Sequence, residues 1–187
     1  MLTAVMVWLL TLAVVIPLGL DLYMPVPDNN PMTADTIEQG RRLFHDRRLS
    51  RDQSLSCASC HDPRRAFSSV QPLAIGVSGR SGRRNAPALS NRGYGRAFFW
   101  DGHTLTLEEQ VVRPIQDVNE MNLPLEDAAA RVGLDIESIS CALATCVRSI
   151  LSGDAPFDRY LHGDARRGDR LLQSRRATTP ATASPSP

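Results

Sequence analysis

A chain of 187 residues has room for one ordinary domain with extensions. Its formal charge of +1 argues against a partner held by strong electrostatics, nucleic acid above all. Aromatic residues make up only 5% of the chain, so an apolar core must come mainly from Leu, Ile, Val and Ala, or be completed by a bound ligand.

The first twenty residues, Met1 to Leu20, carry no charged side chain, and the run stops at Asp21. At about 1.5 Å per residue, roughly 20 apolar residues span a bilayer core. No Lys or Arg precedes Arg41, so the basic start of a cleavable signal is missing. Residues 1–20 are therefore expected to form an apolar helix that anchors the chain in a membrane, in preference to a removed signal or a buried core helix. Either export reading puts the rest of the chain outside the cytoplasm. Residues 21–32 contain Pro25, Pro27 and Pro31 and read as an extended linker.

The main domain is expected over 33–163, all-α with long loops. Thr33 can cap a helix running to about His45, with Ile37, Leu43 and Phe44 inward and Arg41 and Arg42 outward. Leu55 to His61 reads as a short helical turn. Asp62 to Gly95 is dense in Gly, Pro, Ser, Asn and Arg and reads as one long ordered loop, uncommon unless functional or held by a ligand. Thr106 and Glu109 have capping-box spacing and open a helix ending near Arg113-Pro114. Another helix is expected over Leu125 to Val132. A longer one is capped by Asp135, with Ile139, Leu143, Cys146, Val147 and Ile150 on one face and Gly153 at its end. Residues 164–187 turn to Arg, then to Thr, Ala, Ser and Pro, the composition of a disordered tail.

Cys57-Ala58-Ser59-Cys60-His61 is C-x-x-C-H, the attachment motif of a c-type haem. Two thiols separated by two residues match the two haem vinyl groups, and the adjacent imidazole then lies beneath the iron as its ligand. A structural zinc site needs four ligands, and Cys141 and Cys146 stand far off on an apolar helix. A thioredoxin-like pair needs an α/β pattern that is missing here. Cys141 and Cys146, five apart on a helix, lie too far from each other for a mutual disulfide and read as small apolar residues.

The stretches Gly40-RRLFHDRRLSRD, Leu55-SCASCHDPRRAF, Gly82-RRNAPALSN, Ala97-FFWDG, Leu107-EEQ, Asn119-EM and Ala155-PFDRYL together resemble the bacterial dihaem cytochrome c peroxidase family. That family includes the dihaem enzyme that matures the cofactor of methylamine dehydrogenase. The resemblance implies the N-terminal, peroxide-reactive cytochrome c-like domain, with one covalent haem c. It implies hydrogen peroxide as substrate and electrons from a small donor protein such as a cytochrome c or a cupredoxin, while the export reading of residues 1–20 puts the chain on the periplasmic side of the inner membrane, or in the periplasm if that segment is removed. By the same resemblance Gln110 and Glu120 lie on the open side of the iron, with Glu120 as acid/base in breaking the O–O bond. Trp100 matches an electron relay between the two haems, and Asn85 matches a residue at a calcium site between domains. One of Arg80, Arg83 and Arg84 is a candidate partner for a haem propionate.

Two departures from the family pattern shape the expectation. Many members carry a histidine that closes the iron in a stretch like I-G-H-G, whereas this chain has Ile75-Gly76-Val77-Ser78, and valine cannot coordinate. An open iron is therefore expected, with His103 and His45 as surface residues and Met121 as another side chain able to ligate. No second C-x-x-C-H is found. After Asp158-Arg-Tyr-Leu-His-Gly-Asp the sequence leaves the family pattern, as in a truncated reading frame or a single-haem derivative. The alternatives are a single-haem electron carrier or an inactive fragment.

Overall fold

The computed structural model describes residues 14–163. Within that range the chain forms two compact units, one of residues 24–151 and one of residues 15–23 with 152–163. The larger unit contains α1 (Ala34–His45), α2 (Cys57–Cys60), α3 (Leu107–Gln116), α4 (Leu125–Val132) and α5 (Ile136–Arg148). The smaller contains α6 (Pro156–Leu161) and a hydrogen bond from the Asp154 amide to the Leu18 carbonyl, 2.7 Å. Among the described residues there is no strand, only three isolated bridges, and the all-α expectation holds.

Helix starts follow their side-chain caps. The Thr33 hydroxyl accepts from the Thr36 amide at 3.2 Å while the Thr36 hydroxyl accepts from the Thr33 amide at 3.1 Å. Asp135 accepts from the Ser138 amide at 2.7 Å. Thr106 accepts from the Glu109 amide at 3.1 Å, but the Glu109 carboxylate turns to Arg113 at 2.8 Å, so only half of that box forms.

Helix ends differ from expectation. Helix α3 passes through Pro114 and stops at Gln116. Its last turn is held from outside, the Met121 amide donating to the Pro114 carbonyl at 3.1 Å and the Leu123 amide to the Ile115 carbonyl at 2.8 Å. Helix α5 ends at Arg148, five residues short of Gly153: the Ile150 amide turns to the Val147 carbonyl at 3.1 Å, three residues back instead of four, and the Ile150 carbonyl accepts from the Asn91 amide at 2.8 Å.

The core lies where α1 and α3 pack on α5. Helix α5 buries Ile139, Leu143, Cys146 and Val147 as its pattern requires, and also Ala142, Ala144, Thr145 and Arg148, while Ile150 is only half-buried. Leu43 and Phe44 of α1 and Leu107, Val111 and Ile115 of α3 fill the space against it. Each such large side chain contributes roughly 1.5–3 kcal/mol. Gly40 sets the α1–α5 approach, since a Cβ there would lie 1.9 Å from the Ala142 carbonyl oxygen.

The segment 21–32 forms no helix or strand, but it is not extended throughout: it turns at 27–30, where the Asn30 backbone amide donates to the Pro27 carbonyl at 3.0 Å, and the Asn30 side chain is buried. Its amide nitrogen donates to Glu108 at 2.6 Å and to the Cys141 carbonyl at 3.1 Å, and its amide oxygen accepts from Thr145 at 3.0 Å. Arg148 closes the set on Glu108 at 2.9 Å. Most of the expected helix over 1–20 lies outside the described residues. Its remaining part, 14–20, is not helical but extended through Pro17 and then turned, since Pro17 brings no N–H to a helix interior. Among the described residues no helix is long and apolar enough to cross a membrane. The tail over 164–187 also lies outside the described residues.

Candidate functional site

A cleft with about 690 Å³ of empty space, its open mouth included, runs beside the Cys57–His61 segment. Its apolar walls come from Phe44 of α1, Leu55, Val111 and Pro114 of α3, and Leu143 and Val147 of α5. Cys57, Cys60, His61, Gln110, Glu120 and Met121 line the same space. Six residues picked out from the sequence thus converge from three separate stretches of chain.

Helix α2 is a single turn that carries both cysteines. The Ser59 hydroxyl accepts from the Ser56 amide at 3.0 Å, and the His61 amide closes the turn on the Cys57 carbonyl at 2.9 Å. Burial, with the nearby Cys146 sulfur, pushes the Cys57 thiol up to about 12. Burial and the Glu120 carboxylate raise Cys60 in the same direction. Both are held as neutral thiols.

His61 Nδ1 lies 3.0 Å from the Phe67 carbonyl and 3.0 Å from the Pro87 carbonyl. Carbonyl oxygens only accept, so Nδ1 carries the hydrogen and Nε2 presents its lone pair. Burial pulls the imidazole below its ordinary value, partly offset by the two carbonyls, so the ring stays neutral. The Phe67 carbonyl arrives through a tight turn in which Ala66 and Phe67 have φ of 55° and 56°. Each such left-handed residue costs on the order of 1–3 kcal/mol, and here the strain aims an acceptor at the ligand ring.

Glu120 is carried on the turn after α3. Burial raises its carboxyl above the ordinary range, and Asp117 adds to the shift. The turn is clasped by the loop 75–77, where the Val77 amide donates to the Glu120 carbonyl at 2.8 Å. Gly76 permits that contact, because a Cβ would sit 2.0 Å from the Asn119 carbonyl oxygen. Val77 itself is buried and is not among the cleft-lining residues, whereas Ile75 and Gly76 are. Met121, 5% exposed, is tied in by the Arg51 amide on its carbonyl at 2.9 Å.

Two sequence-selected residues stand apart from the cleft lining. Trp100 is 73% exposed, with the Arg84 guanidinium 3.9 Å above its ring. Exposed Asn85 donates its amide nitrogen to the Ser69 and Gln71 carbonyls and clamps the long loop. No group of three or more His, Cys, Asp or Glu side chains able to hold a metal ion occurs among the described residues. His103 pairs with Asp101 at 2.6 Å and stacks on Phe99, and His45 is exposed. Sequence reasoning missed Ile75, Gly76 and Phe44 as lining residues. Only the inward stripe of α1 signalled Phe44.

A covalently held haem needs two thiols facing an apolar space, an imidazole nitrogen free for iron, and room for the ring. Both thiols and the imidazole face this cleft, whose lining is mostly apolar and whose mouth is open to solvent. The residues fit the group.

The sequence profile of the di-haem cytochrome c peroxidase family matches residues 34–135, more than half of the chain. The chain belongs to that family. The methylamine utilization protein MauG of Methylorubrum extorquens is 35% identical over 174 residues, covering 80% of this chain and 49% of the relative. Cytochrome c peroxidase Ccp of Escherichia coli is 29% identical, covering 83% of this chain and 38% of that protein. Among solved structures, a MauG-like protein associated with microbial copper homeostasis superimposes with a TM-score of 0.69 at 34% identity, over 79% of this chain and 46% of that one. The diheme peroxidase BthA of Burkholderia thailandensis gives 0.62 at 26% identity, over 71% of this chain and 43% of its own. The chain spans about half the length, or less, of these relatives.

Proposed function

We propose that this chain is a peroxide-reducing haem domain, with one haem c bonded to Cys57 and Cys60 and ligated by His61. The observation that carries the reading is a half-buried carboxyl, Glu120, lining the same apolar cleft as the C-x-x-C-H segment. When bound, the haem supplies the iron at which peroxide is reduced and the path by which electrons reach it. Reduction of one peroxide to two waters takes two electrons and two protons.

The chain's own residues handle the rest. His61 Nδ1–H holds to two carbonyls and keeps the ring neutral and oriented. Glu120, kept protonated to higher pH by burial, can give a proton at its Oε and take one back, moving it between the peroxide oxygens. Gln110 can donate and accept hydrogen bonds and so orient the same molecule. Phe44, Val111, Leu143 and Val147 exclude water. Trp100 is the candidate electron relay on the surface, fed by a small cytochrome c or cupredoxin. Asn85 spends its nitrogen on the loop, which leaves its Oδ1 as the oxygen to offer calcium. The charge-free run 1–20 supports export to the periplasmic side of the membrane.

Protein made with the c-haem maturation machinery should gain the mass of one haem that acidified organic solvent does not extract. Glu120→Gln should lower its peroxide turnover by about 10²–10⁴-fold. Extractable haem, or turnover indifferent to Glu120→Gln, overturns the reading. Met121 in the cleft wall favours a second reading, a single-haem electron carrier with the thioether on iron. In that case the ferric protein is low-spin, becomes high-spin in Met121→Ala, and ignores peroxide.

A further inference from the structure

We propose that Arg131, on helix α4 and outside the cleft, is a positioning residue that fixes the Glu120 turn against the C-x-x-C-H segment. The proposal rests on the peroxidase reading and deepens it, adding how the acid/base group is held in place. A basic side chain in the last turn of a helix ordinarily serves that helix's own terminal carbonyls. Here Gly133, with φ of 75°, closes α4 through its amide on the Ala129 carbonyl at 2.9 Å. The half-buried Arg131 reaches instead to residues 80 to 83 positions back in the sequence. Its Nη1 donates to the Ser50 carbonyl at 2.8 Å and the Arg48 carbonyl at 3.3 Å, and its Nη2 to the Arg51 carbonyl at 3.2 Å. Among the described residues no carboxylate forms an ion pair with it, so the cation is directed wholly at one stretch of main chain.

That stretch ties two sides of the cleft together. The buried Ser50 hydroxyl accepts from the Leu55 amide at 3.1 Å, two residues before Cys57. The Arg51 amide donates to the Met121 carbonyl at 2.9 Å, next to Glu120. The Ser50 carbonyl and the Arg51 N–H are the two ends of one peptide group. A cation on the oxygen draws charge from the nitrogen end and strengthens the bond that the N–H makes. The following peptide group in the line gives the Met121 carbonyl to Arg51 and the Asn122 N–H to the Asp117 carbonyl at 2.9 Å. The same Asp117 carbonyl accepts from the Glu120 amide at 3.0 Å. Exposed Arg80 also holds this turn, at the Val118 carbonyl, but it reaches there from the loop. Arg131 acts through the segment that also carries Leu55, so it alone couples Glu120 to the turn bearing Cys57 and Cys60. The planar guanidinium fork suits three carbonyls at once, whereas an ammonium on a flexible stem lacks that fixed geometry.

The test uses the full haem-loaded chain, with carbon monoxide on the ferrous haem as probe. The infrared C–O stretch responds to hydrogen-bond donors near the bound gas, independently of turnover. Arg131→Gln should keep covalent haem and helical circular dichroism and move the C–O band toward its position in Glu120→Ala. It should also lower kcat for peroxide by about 10–100-fold while KM stays within about twofold. Arg131→Lys should recover part of both effects, and it carries the test if Arg131→Gln fails to fold. Arg48→Gln removes the 2.9 Å bond to the Arg131 carbonyl but none of the three bonds from its guanidinium, so band and kcat should match wild type. A lower melting temperature in both Arg131 variants with an unmoved band and unchanged kcat leaves Arg131 a merely structural role and overturns the proposal. So does an equal band shift in Arg48→Gln, or a band indifferent to Glu120→Ala. If turnover ignores Glu120→Ala while the band still follows both Glu120 and Arg131, the peroxidase reading fails and the positioning stands.

Discussion

The helical frame and the loop over 62–95 border the same cleft by opposite means. Helix α5 is held by burial, with every residue from Ala142 to Arg148 inside. The loop buries little, and its order comes from backbone groups that find partners. The Phe67 and Pro87 carbonyls accept from His61, and the Ser69 and Gln71 carbonyls accept from Asn85. The Val77 amide donates to Glu120. A long irregular segment can thus be a fixed part of a site when its polar groups are satisfied. The helices make the apolar space, and the loop orients the groups that act in it.

Two glycine substitutions break this comparison most sharply. Gly40→Leu drives a side chain into the Ala142 carbonyl at the α1–α5 crossing, so it should cost more than about 4–5 kcal/mol and abolish cooperative thermal unfolding. Gly76→Leu makes an equally close clash with the Asn119 carbonyl, but only between the loop and the Glu120 turn. Its helical circular dichroism should survive while peroxide turnover collapses. If both variants unfold alike, the frame and the loop are one cooperative unit.

A cavity in the frame should cost less than the α1–α5 clash. Leu143→Ala should destabilise by about 2–5 kcal/mol in urea unfolding and loosen the cleft wall it lines. A loss well under 1 kcal/mol would show that α5 is not the core it is described as.

The smallest effect concerns pH. The Glu120 carboxyl sits above its ordinary 4.5 because it is buried near Asp117. The folded state then holds that proton longer than the unfolded state, so the stability it contributes is present below pH 4.5 and lost as pH rises through the folded value. Thermal unfolding of Glu120→Gln should match wild type near pH 4 and exceed it modestly at pH 7. A gap of the reverse sign would place the carboxylate in a polar, solvated setting.

Local signals made much of this protein legible in its sequence. Thr33 and Asp135 announce their helices because a cap reaches only three residues ahead. The C-x-x-C-H run carries its chemistry within five residues, and the stripe Ile139, Leu143, Cys146, Val147 marks the core face of α5. Gln110 and Glu120 came forward only through the family resemblance, since a polar residue near a helix end has no local mark of a site. The tertiary structure alone decided the rest. Arg148 is buried because Glu108, 40 residues away, meets its guanidinium, and Asn30 joins them across 78 residues. The hydrogen on His61 sits at Nδ1 because the Pro87 carbonyl, 26 residues on, comes within 3.0 Å of it beside that of Phe67. Gly40 and Gly76 matter for what faces them across a crossing or a loop contact. Pattern and propensity act over one or two turns of chain, while burial, tautomer and close approach are set by groups that only folding brings together.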